Sequence, residues 1–428
     1  MDLEGYARIL LREGKKAKLA ELIAEVKGIS IDKAEKLAEA VFLEVRNAYS
    51  KTTPLLNYKR SGVTMGEFGV GSRGEGDFYV HSKIAEMCRN PDLDDAGIVR
   101  VGECYLAISV DGIHSRLSEF PFIAGFHAAR AAMRDVYVMG AKPVALLSDI
   151  HVADDGDVAK IFDHLAGIMA ISEVSGVPLV SGSTLRIGGD MVIGERMTGA
   201  VGCVGVGKKV TRRRDAKPGD VILMTEGAGG GTIATTAIYY GRHEIVDETI
   251  NVDFIIAAEK ALNHVEKIHS MTDVTNGGIR GDAMEISRVS KTRLVFDYEK
   301  LRRVVNRRVL EMLEELKIDF LGVSIDSLMI ICPEDVAKDV KRDIKSAGVK
   351  VEEVGWVEEG EGAFLVENGE ERELKPRFRE SAYTPIKKLV GEDKPENFEE
   401  LKRRIDEAFE AALRKKERVV KRLGKVPL

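Results

Sequence analysis

Apolar residues recur at helical spacing near the start of the chain. Leu19, Leu22, Ile23 and Val26 fall three and four positions apart, as on a helix with one buried face. Gly28 can end that helix. Asp32 then precedes a second run through Leu37, Val41 and Val45. The pattern predicts a two-helix extension over residues 1–50, packed on the main body or on a second subunit. Residues 51–100 are polar and Gly-rich, with few periodic signals. From Gly102 the chain becomes regular. The apolar run "CYLAISVD" reads as a strand ending at Asp111, and "PFIAGFHAARAAMRDVYVMGA" as a helix whose small residues Gly125, Ala128, Ala129 and Ala132 permit close packing. The segment "PVALLSDI" reads as a strand. Asp157 can cap a helix with Val158, Ile161, Leu165 and Ile168 inward, ending near Gly176. The segments "VPLVSG" and "ERMTGAVGCVGVG" read as further strands.

The basic run Lys208–Arg214 and the turn "AKPGD", with Pro218-Gly219 at its centre, precede the strand "VILMT" and place a domain boundary near 208. The α/β alternation then repeats through "GAGGGTIATTAIYYG", "MTDVTNGGIRGDAMEIS", "SLMIICP" and "VKVEEVGWV", fading near 375. The expected units are a helical extension (1–50), an N-terminal α/β domain (51–207), a C-terminal α/β domain (208–375) and a charged helical tail (376–428). In the tail, Phe398, Leu401, Ile405 and Phe409 share one face. Arg414 to Lys425 hold seven basic residues and one acidic one, which suits a helix C-terminus.

Composition narrows the classes. At 428 residues, 44% hydrophobic and 31% charged, the chain reads as a globular protein of two or three domains. A net charge of −6 gives no reason to expect nucleic-acid binding. No apolar run approaches a membrane span. "MDLEGYARILLREGKK" carries no apolar signal core, so a cytoplasmic protein is expected. The four cysteines form no C-x-x-C pair and the eight histidines no metal motif. No G-x-S-x-G elbow and no G-x-x-x-x-G-K-[ST] phosphate loop is present.

Aspartates at strand ends, on helix faces and beside small residues carry the chemistry. Asp94 and Asp95 lie in "LDDAGIV", Asp111 in "ISVD", Asp135 in "MRDVYVMGAKP" and Asp273 in "MTDVTNGG". Converging carboxylates repel unless a cation joins them, and an oxygen-only set suits Mg²⁺. A second signal is "GVGSRGEGDF", Gly69–Phe78, which opens as G-x-G-x-x-G. The residues before it are too polar for the buried strand that a dinucleotide-binding turn requires. It is either a surface loop or a Gly-rich flap over a nucleotide.

In order, these stretches resemble the superfamily of aminoimidazole ribonucleotide (AIR) synthetase, selenophosphate synthetase, thiamine monophosphate kinase and the hydrogenase-maturation carbamoyl dehydratase. "LDDAGIV", "SVD", "RDVYVMGAKP", "AKPGDVILMTEGAGGG" and "DVTNGG" stand where that family has its motifs, over roughly residues 90–360. The resemblance implies a two-domain α/β fold whose N-terminal sheets pair across a homodimer, with ATP and Mg²⁺ at the junction. It implies metal binding by Asp95, Asp111, Asp135 and Asp273. It makes the Gly-rich stretch a flap, with Gly71, Gly74 and Gly76 offering backbone N–H groups to phosphate and Arg73 and Lys83 neutralising charge. Asn276 and Gly277 of the "DVTNGG" turn join the nucleotide site. The implied activity is ATP-dependent phosphorylation or activation of a small molecule, of phosphotransferase or ligase type; the alternative is a nucleotide-binding protein without turnover. The chain departs from each named relative: Asp273 stands where AIR synthetase has a histidine. The flap holds no cysteine, the chain ends "GKVPL", and Ser183 stands in "VSGST" where the thiamine monophosphate kinase carries an acid. A free flap would be mobile without nucleotide, so Arg73→Ala should leave the apo protein's stability unchanged.

Overall fold

A computed structural model describes residues 1–15, 17–50, 53–88 and 94–424. The N-terminal extension has three helices rather than two: Leu3–Glu13, Ala17–Lys27 and Ile31–Ser50. The extra break is at Gly14, whose left-handed backbone (φ 69°) ends the first helix. Leu3, Leu10, Leu19, Ile23, Val41, Phe42 and Val45 form a small core that Ile193 of the next domain completes. Lys27 fastens the bundle by pairing with Asp154 and, at 2.7 Å, with Asp155.

A five-stranded sheet follows: β1 (Gly97–Val101), β2 (Cys104–Gly112), β3 (Lys142–Val152), β4 (Leu179–Arg186) and β5 (Met197–Gly207). Its order is β1-β2-β5-β3-β4. The β3–β4 pair is parallel and its connection carries helix Ala159–Ser175; the other pairs are antiparallel. Helix Pro121–Val138 packs with Ala159–Ser175 on one face. Their approach needs glycine: a Cβ on Gly125 would lie 2.1 Å from the His164 carbonyl, and one on Gly167 2.1 Å from that of Phe122. The period of two sorts β2, with Tyr105, Ala107 and Ser109 buried against the helices. The opposite face is left apolar and exposed at Ile108, Val110, Leu147, Leu185 and Val206.

The chain then enters a seven-stranded sheet: β6 (Val221–Thr225), β7 (Ser270–Asp273), β8 (Thr292–Asp297), β9 (Leu328–Cys332), β10 (Val351–Glu359), β11 (Gly362–Glu367) and β12 (Glu370–Glu373). The order is β12-β11-β8-β10-β6-β9-β7. Strand β9 is buried throughout, as its unbroken apolar run demands. One hydrophobic core runs from the first sheet through helix Pro121–Val138 into Leu223, Met271 and Ile330 of the second. The two sheets therefore share packing, and charged groups caught at their junction are shielded from water.

Two further segments differ from the sequence-based expectation. Residues Glu75–Cys88 form a helix within the polar, Gly-rich stretch that showed few periodic signals. A capped turn, Met65–Phe68, precedes it. Both lie under the C-terminal helix Phe398–Leu423, whose Phe398 and Leu401 are buried against Phe68 and Phe378, with Tyr79 and Val80 alongside. The rings of Phe68 and Phe398 stack 5.0 Å apart. The tail is thus a clamp over the Gly-rich segment.

Candidate functional site

The junction between the sheets gathers the predicted acids. Asp273 ends β7, Asp135 projects from helix Pro121–Val138, and Asp95 lies just before β1. One oxygen of each falls within 4.8 Å of the others. Asp111, near the end of β2, feels the charge of Asp273 and Asp326 and of the Arg134 guanidinium. Burial dominates the electrostatics of this group. It pushes Asp95 up to about 7, although Arg213 opposes it, and Asp111 up to about 6. Asp135 is held well above the usual carboxylate range by burial and then by Asp273, Asp111 and Asp95.

Four arginines, none of them singled out from sequence as partners of these acids, surround the cluster. Arg213 binds Asp95 at 2.5 Å, Thr272 at 2.8 Å and Glu285. Arg73 lies 3.0 Å from Glu285 and 3.7 Å from Asp282. Arg134 reaches Asp326, which also takes Arg130 at 2.7 Å. These two guanidiniums hold Asp326 below its ordinary range against the effect of burial. Arg134 Nε is 3.1 Å from Asp273 Oδ2, but neither Asp273 oxygen is aligned for a hydrogen bond. Two buried carboxylate oxygens with no aligned donor among the described residues, beside two further carboxylates, make an oxygen-only donor set that fits a hard divalent cation. Asp95, Asp135 and Asp273 would hold it, and it would offset their mutual repulsion.

The Gly-rich stretch is placed differently from the expected flap. The Asp77 carboxylate accepts the N–H groups of Gly71 (2.7 Å) and Arg73 (2.9 Å), so those donors are already taken. A Cβ on Gly74 would stand 2.0 Å from the Phe378 carbonyl, and one on Gly76 1.8 Å from that of Phe68. These glycines admit protein backbone, not phosphate. Ser72 accepts the Glu380 N–H at its carbonyl, 3.0 Å. Arg73 itself is held at the cluster through Glu285, its side chain only 28% exposed. Lys83 turns away: it pairs with Asp406 at 3.1 Å and lies over the rings of Tyr79 and Phe409. On the "DVTNGG" turn, Gly277 has φ 83°, and a Cβ there would meet Arg73 Cβ at 2.7 Å. Asn276 accepts from Thr232 at 3.3 Å.

Beside the carboxylates is a cavity of about 230 Å³. Asp111, Arg134, Asn276 and Asp326 line it together with His114 and His127. Tyr383 of the tail and Thr235 hold the two ring nitrogens of His114, at 2.9 and 3.1 Å. Burial depresses His114 to about 4, so its ring is neutral. Sequence reasoning named Arg73, though for a phosphate rather than for Glu285, and missed Arg130, Arg134, Arg213, both histidines and Tyr383. Arg130, Arg134 and His127 share the helix of Asp135 at spacings of three and four, and that was the one local signal available.

Two α/β domains meeting at a buried, arginine-braced carboxylate cluster define the class of two-domain proteins built around an acidic junction. The chain belongs to the AIR synthase related family. The description "AIR synthase related protein, N-terminal domain" matches residues 93–206, and its C-terminal counterpart residues 217–368. An uncharacterized protein of Methanocaldococcus jannaschii is 53% identical over 99% of this chain and 98% of its own length. A selenide, water dikinase of Myxococcus xanthus is 30% identical over 49% of this chain, which spans 59% of that relative's length. The thiamine-monophosphate kinase of Pyrococcus horikoshii is 25% identical over 64% of this chain and 84% of its own. In fold, the chain is similar to a chain of the HypE-HypF complex (TM-score 0.58, 21% identity, 69% of this chain and 98% of that one). It is also similar to a ThiL solved with AMPPCP and TMP (TM-score 0.56, 18% identity, 72% and 97%). The helical extension and the tail lie outside the matched domains. Among the described residues no helix is long and apolar enough to cross a membrane.

Proposed function

We propose that this chain is an ATP- and Mg²⁺-dependent enzyme that phosphorylates or activates a small molecule. The observation that carries the reading is the buried trio of Asp95, Asp135 and Asp273, with neither Asp273 oxygen in an aligned hydrogen bond among the described residues. Its relatives by sequence include a dikinase and a kinase. Mg²⁺ held there, with Asp111 alongside, would neutralise phosphate charge. Arg73, held beside the cluster by Glu285 and Asp282, and Asn276 are the groups that would meet the nucleotide phosphates in this reading. Titration calorimetry with AMPPCP tests this. Binding should require Mg²⁺ and be lost in Asp273→Asn; binding of equal strength in chelator would refute it.

One observation favours a second reading, a nucleotide-binding protein without turnover: Asp77 occupies the loop N–H groups that a phosphate would otherwise use. ATP binding with no turnover, even with cell extract added, would decide for it. We also propose a homodimer formed through the exposed apolar face of the five-stranded sheet, since such a face is normally covered. A monomer by light scattering at micromolar concentration would contradict this.

A further inference from the structure

The helical extension carries a groove between its second and third helices. It has a volume of about 580 Å³ and is lined by Ala20, Ile31, Ala38 and Phe42, together with Glu21, Glu35, Glu39 and Arg46. Ala20, Ala38 and Phe42 are buried, Ile31 is 46% exposed, and the four charged residues are open to water. The small side chains at 20 and 38 leave the concavity between the two helix faces. Its charge is one-sided. Glu35 and Glu39 stand one helical turn apart, a like-charge spacing that weakens a helix. Glu21 adds a third carboxylate from the neighbouring helix. Among the described residues none of the three has an ion-pair partner.

The other end of the chain has the complementary pattern. Helix Phe398–Leu423 is fixed to the body through Phe398 and Leu401, through Arg404 to the Ser61 carbonyl at 2.8 Å, and through Lys415 to that of Asn57. The residues after Lys415 carry the helix about 12 Å past the last of these contacts. Lys416, Arg418, Lys421 and Arg422 are exposed there, with no ion-pair partner among the described residues. Val420 and Leu423, one turn apart, are 53% and 72% exposed. An amphipathic basic helix end fits an acidic-rimmed apolar groove, and the stretch from Glu35 to Arg46 is about 16 Å long, enough to seat it. Held straight by its anchors, the helix leaves Val420, Leu423 and Ile31 uncovered in its own chain. We propose that the groove receives the basic helix end, residues 416–423, of a second copy of this chain. Carboxylates meet cations, and Ile31 and Phe42 meet Val420 and Leu423. Two copies that exchange tails fill both grooves at once. None of these residues belongs to the free sheet face, so the contact is separate from the sheet pairing above, and it does not rest on the ATP reading.

A carbodiimide joins a carboxylate to a lysine amine only where the two touch, so it reads this contact in the full chain. Light and heavy-isotope chains, equilibrated together and cross-linked, should give peptides of mixed isotope joining Glu21, Glu35 or Glu39 to Lys416 or Lys421. Glu35→Lys/Glu39→Lys sets a basic groove against a basic tail, and Lys416→Glu/Lys421→Glu/Arg422→Glu an acidic tail against an acidic groove. All five positions are exposed, and the unaltered chain supplies a readout that needs no substitution. Either variant alone should give groove-to-tail cross-links at least about tenfold below wild type. An equimolar mixture of the two should restore them to within about twofold of wild type, because each groove then meets a tail of opposite charge on the other chain. Mixing cannot rescue a contact made within one chain. Cross-links of a single isotope only would place the chain's own end in the groove. None at all, in wild type or in the mixture, would leave both surfaces to other partners. Either result overturns the assignment, as would a groove variant that cross-links like wild type.

Discussion

Arg73→Ala separates a docked loop from a free one. In the structure the guanidinium stands 3.0 Å from Glu285 and 3.7 Å from Asp282, whose side chains are 9% and 0% exposed. Arg73 has φ 46°, and alanine is strained there as arginine is, so the substitution removes the charge at constant backbone cost. Breaking a buried ion pair costs about 3–5 kcal/mol. Two features reduce that figure here. Arg213 also holds Glu285 and lies 3.4 Å from Asp282, and Arg73 is open enough to water for screening to matter. The expected loss is about 1–3 kcal/mol in the nucleotide-free protein, read as a melting temperature lower by a few degrees. The loss depends on pH. Burial holds Asp282 well above the usual carboxylate range, and Arg213 and then Arg73 pull it down. Without Arg73 the folded pKa rises further. A group whose folded pKa exceeds its unfolded one contributes stability below the unfolded value and loses it as pH rises through the folded one. The gap between variant and wild type should therefore be wider in mildly alkaline than in mildly acidic buffer. Equal melting temperatures at both pH values would refute the docked loop and restore a free flap.

The metal-free protein should lose stability as pH rises from the ordinary carboxylate range toward 7, because Asp111 is raised to about 6 and Asp95 to about 7; Mg²⁺ should raise the melting temperature in alkaline buffer and do little in acid. Leu401→Ala, at a fully buried position on the inner face of the tail helix, should cost about 2–4 kcal/mol in the packing of the tail, seen as faster amide exchange over residues 69–78 with the sheets unaffected. Val110→Asp, at a position 72% exposed on the sheet's free face, should convert a dimer to monomer in light scattering without lowering the monomer's helicity; an unchanged mass would place the interface elsewhere.

Much of the fold was legible because its signals are local. Alternation in "CYLAISVD", the small-residue helix before Gly140 and the unbroken run of β9 each specify an element from neighbours along the chain. The acids were legible only as a set: each alone could cap a turn, and the order of the motifs that carry them pointed to Asp95, Asp135 and Asp273, whose oxygens the structure brings within 4.8 Å of one another. The partners of those acids come from far along the chain. Arg73 meets Glu285 across 212 residues, and Arg130 meets Asp326 across 196. No periodicity records which of many arginines will be buried opposite which carboxylate. The Gly-rich stretch shows the same limit. Its glycines announce a close backbone approach, but only the tertiary structure decides that the approaching groups are the carbonyls of Phe378, at Gly74, and Phe68, at Gly76, rather than a phosphate. Helix Glu75–Cys88 is weakly amphipathic, and its apolar residues find their cover only when Phe398 and Leu401 arrive from the other end of the chain. Local sequence dictates which conformations and charges are available. Burial across the domain junction decides which of them face one another, because desolvation makes an unpaired charge there too costly to keep.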